Sequence, residues 1–256
     1  MVRQVTEFDT NDDDSDFYPE SDGERMADTT VHFSWIVKIK EGLEILYAKI
    51  PYVFVAGDLL WYPVKGNKEI RRAPDAMVAI GRPKGDRGAY VQHREGNMAP
   101  QVVFEIRTPK NTDKEMQSKF DFYQKYGAEE YYVYDYIKNN LKGWLRSGSV
   151  LQPITDINNW ISPHLQIKFV LTPTTLEIYH PNGRKFLTPV ELYKEYKQAE
   201  QLALIEQEHQ QAEQQRAQLE QQAKIDSVRR LLQMGLSVGQ IAQALSVTVQ
   251  EVENMR

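Results

Sequence analysis

Three side chains have the types and spacing for phosphodiester chemistry: Asp75, Glu105 and Lys119. Pro74-Asp75 precedes the apolar run Ala76-Met77-Val78-Ala79-Ile80, and Glu105 interrupts the later run Val102-Val103-Phe104-Glu105-Ile106-Arg107. Strand alternation sets Val102, Phe104 and Ile106 on one face and Val103, Glu105 and Arg107 on the other, leaving a carboxylate in mid-strand. Burying it is costly unless a cation or a metal meets it. An ordinary ion pair with an arginine would satisfy that need. So would Lys119, which falls three residues after Met116 and four before Tyr123, on the buried side of the helix that Met116, Phe120 and Tyr123 define. Two acids and a lysine suit a magnesium- or manganese-dependent phosphodiesterase. The acids hold the ion, the ion polarises phosphate and lowers the pKa of water, and the lysine steadies the attacking water and the developing charge.

Asp58, beside Gly57, is a further candidate ligand from the first hairpin, although an acid next to glycine is more often a turn residue. The basic stretch Arg82, Lys84, Arg87, His93 and Arg94 follows the Asp75 strand and reads either as a phosphate-contacting lip or as a solvated charge run. Glu41 and Glu44 have the spacing of a solvated helix face. With no cysteine in the chain, any metal falls to carboxylates, carbonyls or histidine, and His93 lacks the spaced partner that zinc would want.

The elements that must position these groups follow from periodicity. Val31, Trp35, Ile36, Ile39, Leu43 and Leu46 recur at three- and four-residue steps, which predicts a helix from Val31 to Tyr47. Strand-like runs follow at Tyr52 to Ala56, Leu59 to Tyr62, Ala76 to Ile80 and Val102 to Ile106, with Gly, Pro and Asp clusters between them. Asn111 or Thr112 caps a second helix that runs to Tyr126 and ends at Gly127. Further strands are expected at Tyr131 to Tyr134, Gly143 to Leu145, Leu151 to Ile154, Ile167 to Leu171 and Leu176 to Tyr179. The tyrosines at 131, 132, 134 and 136 read as a strand with one face in the core. Helices interleaved with strands predict a mixed α/β sheet and exclude a sandwich or a bundle.

Pro74-Asp75, Phe104-Glu105-Ile106-Arg107-Thr108-Pro109, Lys119-Phe120 with Tyr123, Tyr126-Gly127 and Glu130-Tyr131-Tyr132-Val133-Tyr134-Asp135 together resemble the Uma-two family. The resemblance covers about residues 31 to 190. It implies the restriction-endonuclease-like PD-(D/E)XK fold, with a mixed central sheet flanked by helices, Asp75 and Glu105 as metal ligands and Lys119 as catalytic lysine. The chain departs from the wider superfamily at Arg107, which fills the usual lysine slot two residues after the glutamate and is a poor general base. Arg107 then either positions phosphate or pairs with Glu105 or Asp75, and in the second case the site is degenerate.

The net charge of -5 hides an uneven distribution. Residues 1–28 carry ten acids against Arg3 and Arg25 and read as a disordered acidic tail. Residues 197–256 carry eight acids and six bases, so the stretch between these segments is +5, compatible with a nucleic-acid partner. The nuclease domain is expected at 29–190. A long helix follows at 191–226, with a weak coiled-coil seam through Leu202, Ile205, His209, Ala212, Arg216, Leu219 and Ala223 that suggests a homodimer. Residues 227–256 have a helix-turn-helix rhythm, but the candidate recognition helix Gly239 to Leu245 offers only glutamines, which favours a protein partner over DNA. No apolar run suits a membrane span and no signal peptide is evident, so a cytoplasmic chain is expected. The leading expectation is a divalent-metal-dependent DNA endonuclease. Its rivals are a nuclease-fold module that binds without cutting, and a scaffold working through the tail and C-terminal helices.

Overall fold

The computed structural model describes residues 18–21, 23 and 29–256, which divide into a compact unit ending at Glu191 and a second unit, Leu192–Arg256. The first unit is the expected mixed α/β core. It opens with helix α1 (Thr30–Leu46), N-capped by the Thr29 side chain, and strands β1 (Val53–Ala56), β2 (Trp61–Tyr62), β3 (Ala76–Ile80) and β4 (Tyr90–Val91). Strand β5 (Val102–Arg107), helix α2 (Asp113–Tyr126) and strand β6 (Glu130–Asp135) form the centre, and β7 (Asn140–Ser147), β8 (Val150–Pro153), β9 (Lys168–Leu171) and β10 (Leu176–Tyr179) complete it.

Six strands make one sheet in the order β1-β3-β5-β6-β7-β8, and only β5 and β6 pair in parallel. Parallel neighbours need a crossover, and α2 is that crossover. Its start is set by a capping box between Thr112 and Glu115, and its end by Gly127 at φ 100°, a left-handed position that suits glycine. The strand carrying Glu105 and the helix carrying Lys119 are therefore consecutive elements with defined ends.

Two apolar layers hold the sheet. On one face Val102, Phe104 and Ile106 pack with Tyr132, Tyr134 and Trp35, Ile39 and Leu43 of α1, together with Phe169, Ile178 and Phe186. On the other, Val103 packs with Met77, Tyr123, Tyr131 and Val133. The tyrosine strand thus departs from the one-faced expectation: β6 lies between β5 and β7, so Tyr132 and Tyr134 enter one core and Tyr131 the other.

The tail expected at residues 1–28 lies mostly outside the described residues. Of its described part, Tyr18 is buried against Leu60, Tyr62 and Val91, and the Tyr62 hydroxyl donates to the Pro19 carbonyl at 2.6 Å.

In the second unit, helix α3 (Pro189–Gln233) runs without a break through the boundary expected at 226. Helices α4 (Val238–Leu245) and α5 (Val249–Asn254), each with its own capping box, bury Ile241, Ala242 and Val252 against Val228 of α3. Helix α4 occupies the segment expected at Gly239 to Leu245, and α5 follows it, presenting Gln250, Glu251 and Glu253 to solvent. Among the described residues no helix is long and apolar enough to cross a membrane.

Gly42 is where α1 meets the Phe186 ring, so closely that a methyl group there would overlap it. Alanine replaces glycine in an open helix with a gain of about 1 kcal/mol. Here Gly42→Ala is expected to reverse that sign and cost about 1–3 kcal/mol through overpacking, read as a lower urea midpoint.

Candidate active site

Glu105 is only 1% exposed, and both its oxygens are engaged from α2: Lys119 Nζ donates to Oε2 at 2.6 Å and the Tyr123 hydroxyl to Oε1 at 2.5 Å. Residues 119 and 123 are one helical turn apart, so a single face of α2 delivers both donors to one carboxylate. Asp75 immediately precedes β3, whose Ala76 lies opposite Phe104, and this register sets Asp75 beside Glu105. Its Oδ2 accepts from the Ile106 backbone N–H at 2.6 Å and lies 3.2 Å from His32 Nε2 of α1. The cluster is thus drawn from α1, the start of β3, β5 and α2.

Electrostatics tie these groups together. Burial pushes Glu105 up to about 7, opposed by the Lys119 ammonium and reinforced by the Asp75 charge. For Lys119, burial pulls downward, but the charges of Glu105 and Asp75 and the hydrogen bond to Glu105 outweigh it and hold the ammonium above its ordinary value. Lys119 is therefore a protonated donor at neutral pH, and not a general base in this arrangement. Burial, with the same two carboxylates, also raises Tyr123 and Tyr131 well above the ordinary phenol value.

The donor chemistry fits a hard divalent ion. Asp75 Oδ1 accepts no hydrogen bond among the described residues, and an ionised carboxylate offers about four lone-pair sites, of which Lys119 and Tyr123 take two on Glu105. Oxygen donors of this kind suit magnesium or manganese.

Other expectations need correction. Arg107 pairs with neither Glu105 nor Asp75: its Nη2 meets Asp113 Oδ1 at 2.5 Å, in the first turn of α2. The cation neutralising Glu105 is Lys119, so Arg107 does not fill the place of the metal. Arg107 instead borders a cavity of about 260 Å³ with Tyr131, Lys142 and Trp144. The basic loop is not an open lip. Arg82 and Arg87 both spend their guanidinium groups on the buried Glu95, at 2.8 and 2.6 Å, and Lys84 pairs with Glu44 at 2.8 Å. Asp58 adopts a left-handed turn, its N–H bonded to the Pro74 carbonyl. Among the described residues no three His, Asp or Glu side chains gather into one metal-binding group, so Asp58 does not join Asp75 and Glu105 as a third ligand.

His32 is the residue that sequence reasoning passed over. Its signal was available, since 32, 36, 39 and 43 share the buried stripe of α1 and a histidine there needs a partner.

The raised Glu105 value has a consequence for stability. Between its ordinary 4.5 and about 7 the folded chain holds a proton that the unfolded chain has lost, so stability falls as pH rises through that window. The wild-type Tm is expected to decline across it. Glu105→Gln, with no proton to lose, should show a shallower decline, and parallel curves would contradict the assignment.

No curated protein matches the chain. A crystal structure of "a putative nuclease belonging to DUF820" from Anabaena variabilis ATCC 29413 aligns over 53% of this chain and 73% of its own, at 11% identity and a TM-score of 0.40, a likeness too slight to bear on function. Residues 34–239 match the model of the Uma2 family, described as "putative restriction endonuclease". With the match extending over most of its length, the chain belongs to the Uma2 family.

Proposed function

We propose that this chain is a divalent-metal-dependent endonuclease that hydrolyses DNA phosphodiester bonds in the cytoplasm. The observation that carries the reading is the buried Glu105 carboxylate, bonded to the Lys119 ammonium at 2.6 Å and set beside Asp75. Asp75 and Glu105 would hold magnesium or manganese, which when bound polarises the phosphate and lowers the pKa of water. Tyr123 fixes the orientation of Glu105 through Oε1, and His32 and the Ile106 N–H fix that of Asp75 through Oδ2. Lys119 keeps its proton on Nζ and offers positive charge where negative charge grows on the phosphate oxygens.

Plasmid cleavage in magnesium or manganese tests this reading. Wild type is expected to cut, chelation to stop cutting, and Glu105→Ala and Lys119→Ala each to lower the rate about 100-fold or more, the scale on which loss of a preorganised charge acts. Wild type that binds DNA and never cuts would instead support the silent binding module. That rival draws on the double engagement of Glu105 by Lys119 and Tyr123, which a metal would have to share.

Cutting both strands of a duplex calls for two such sites, and α3 offers a means of pairing them. Leu202, Ile205 and Leu219 are 68, 61 and 71% exposed on this helix, as the seam of a two-chain coil would be before it is covered. The full chain is expected to sediment as a dimer, and Ile205→Glu as a monomer. A wild-type monomer at all concentrations would refute the pairing.

A further inference from the structure

The Arg72 guanidinium is placed as if for a ligand. Its backbone is fixed by reciprocal hydrogen bonds with Trp61, Trp61 N–H to the Arg72 carbonyl at 2.7 Å and Arg72 N–H to the Trp61 carbonyl at 3.2 Å. Three residues on comes Asp75. Nη2 of Arg72 donates to Ser118 Oγ at 2.8 Å and the guanidinium faces the Phe122 ring at 6.0 Å, while Nε is buried and has no hydrogen-bond partner among the described residues. Among the described residues no carboxylate lies within ion-pair distance of it. The contrast with Arg82, Arg87 and Arg107, each matched to an acid, is clear.

A second cation and a third share its surroundings. Arg72, Ser118, Lys119, Lys114, Asn111 and Glu115 line one cavity of about 330 Å³. Its single acid, Glu115, turns its carboxylate onto the N–H and hydroxyl of Thr112 in the α2 capping box, at 2.7 and 3.1 Å. Lys114 is exposed and makes no ion pair among the described residues. Lys119 already has Glu105, but Arg72 and Lys114 bring two unpaired cations to one hollow, which is unfavourable in the free protein and becomes favourable once an anion enters. A planar guanidinium at the cavity wall, with no acid of its own among the described residues, also matches the paired oxygens of a phosphate.

We infer that this cavity is a phosphate subsite, in which Arg72, steered by Ser118 and supported by Lys114, grips a backbone phosphate next to the one served by Asp75, Glu105 and Lys119. The assignment rests on the proposed nuclease reading and names where that site holds its substrate. Because Lys119 borders both the cavity and the Glu105 carboxylate, the two phosphates would lie on either side of the lysine.

The test uses the full chain, with inorganic phosphate by calorimetry and a short duplex DNA by fluorescence anisotropy across a salt series. Arg72→Gln is expected to abolish the phosphate heat, weaken duplex binding about tenfold and lower the salt-dependence slope by about one, the loss of a single phosphate contact. Lys114→Gln, at the exposed rim, should also lower the slope, and Arg72→Lys should retain charge and lose part of the affinity. Lys49→Gln, an exposed lysine outside the cavity, should change neither. Should Arg72→Gln fail to fold by circular dichroism, Lys114→Gln and Arg72→Lys decide the matter.

If these variants match Lys49→Gln while the wild type cleaves DNA, the subsite is wrong and the nuclease reading stands. If they bind as expected while the wild type never cuts, the subsite stands and the nuclease reading fails. Wild type that binds neither phosphate nor duplex overturns both.

Discussion

Much of the first unit can be understood as what is needed to keep one carboxylate buried. Glu105 lies in a central strand with neighbours on both sides and a helix above it, out of reach of solvent. A charge in that position destabilises the fold unless donors meet it. The chain meets it from a helix whose first residue is fixed by Thr112 and whose end is fixed by Gly127, so that Lys119 and Tyr123 arrive on the same face. If α2 were displaced along its axis by one residue, both donors would miss. The caps, the parallel pairing of β5 with β6 and the aromatic packing around Tyr123 all serve the same positional requirement.

The site and the sheet were legible in the sequence to different degrees, for physical reasons. The Glu105 and Lys119 juxtaposition could be anticipated because each breaks the apolar pattern of its own element, and two breaks on consecutive elements suggest a pair. The limits of α2 were readable from Thr112 and Gly127 because capping is local chemistry. Strand order was not readable, since it depends on which faces are covered from afar. The tyrosines of β6 alternate as any strand does, and only their place between β5 and β7 shows that both faces are buried.

Charge was the least transparent feature. Arg82 and Arg87 read as surface cations because their acid, Glu95, stands several positions away across a turn, and that pairing appears only when the loop closes. Arg107 likewise finds Asp113 past the intervening Thr-Pro segment. Arg72 presents the opposite case: its local sequence, Arg71-Arg72-Ala73-Pro74-Asp75, suggests a neighbouring acid partner, yet Asp75 turns Oδ2 to Ile106 and His32 and makes no ion pair with Arg72. A list of basic residues therefore says little about which charges remain available to a ligand, and the accounting of acids decides it.

The contact between Gly42 and Phe186 bears on how the molecule is made. The first helix of the core is synthesised early, but the ring that seals its inner face belongs to the last segment before α3. During synthesis the inner face of α1 stays incompletely covered until nearly the whole unit has left the ribosome. The segment that seals the inner face of α1 is thus among the last of the unit to be made, while the helix it seals is the one that supplies His32.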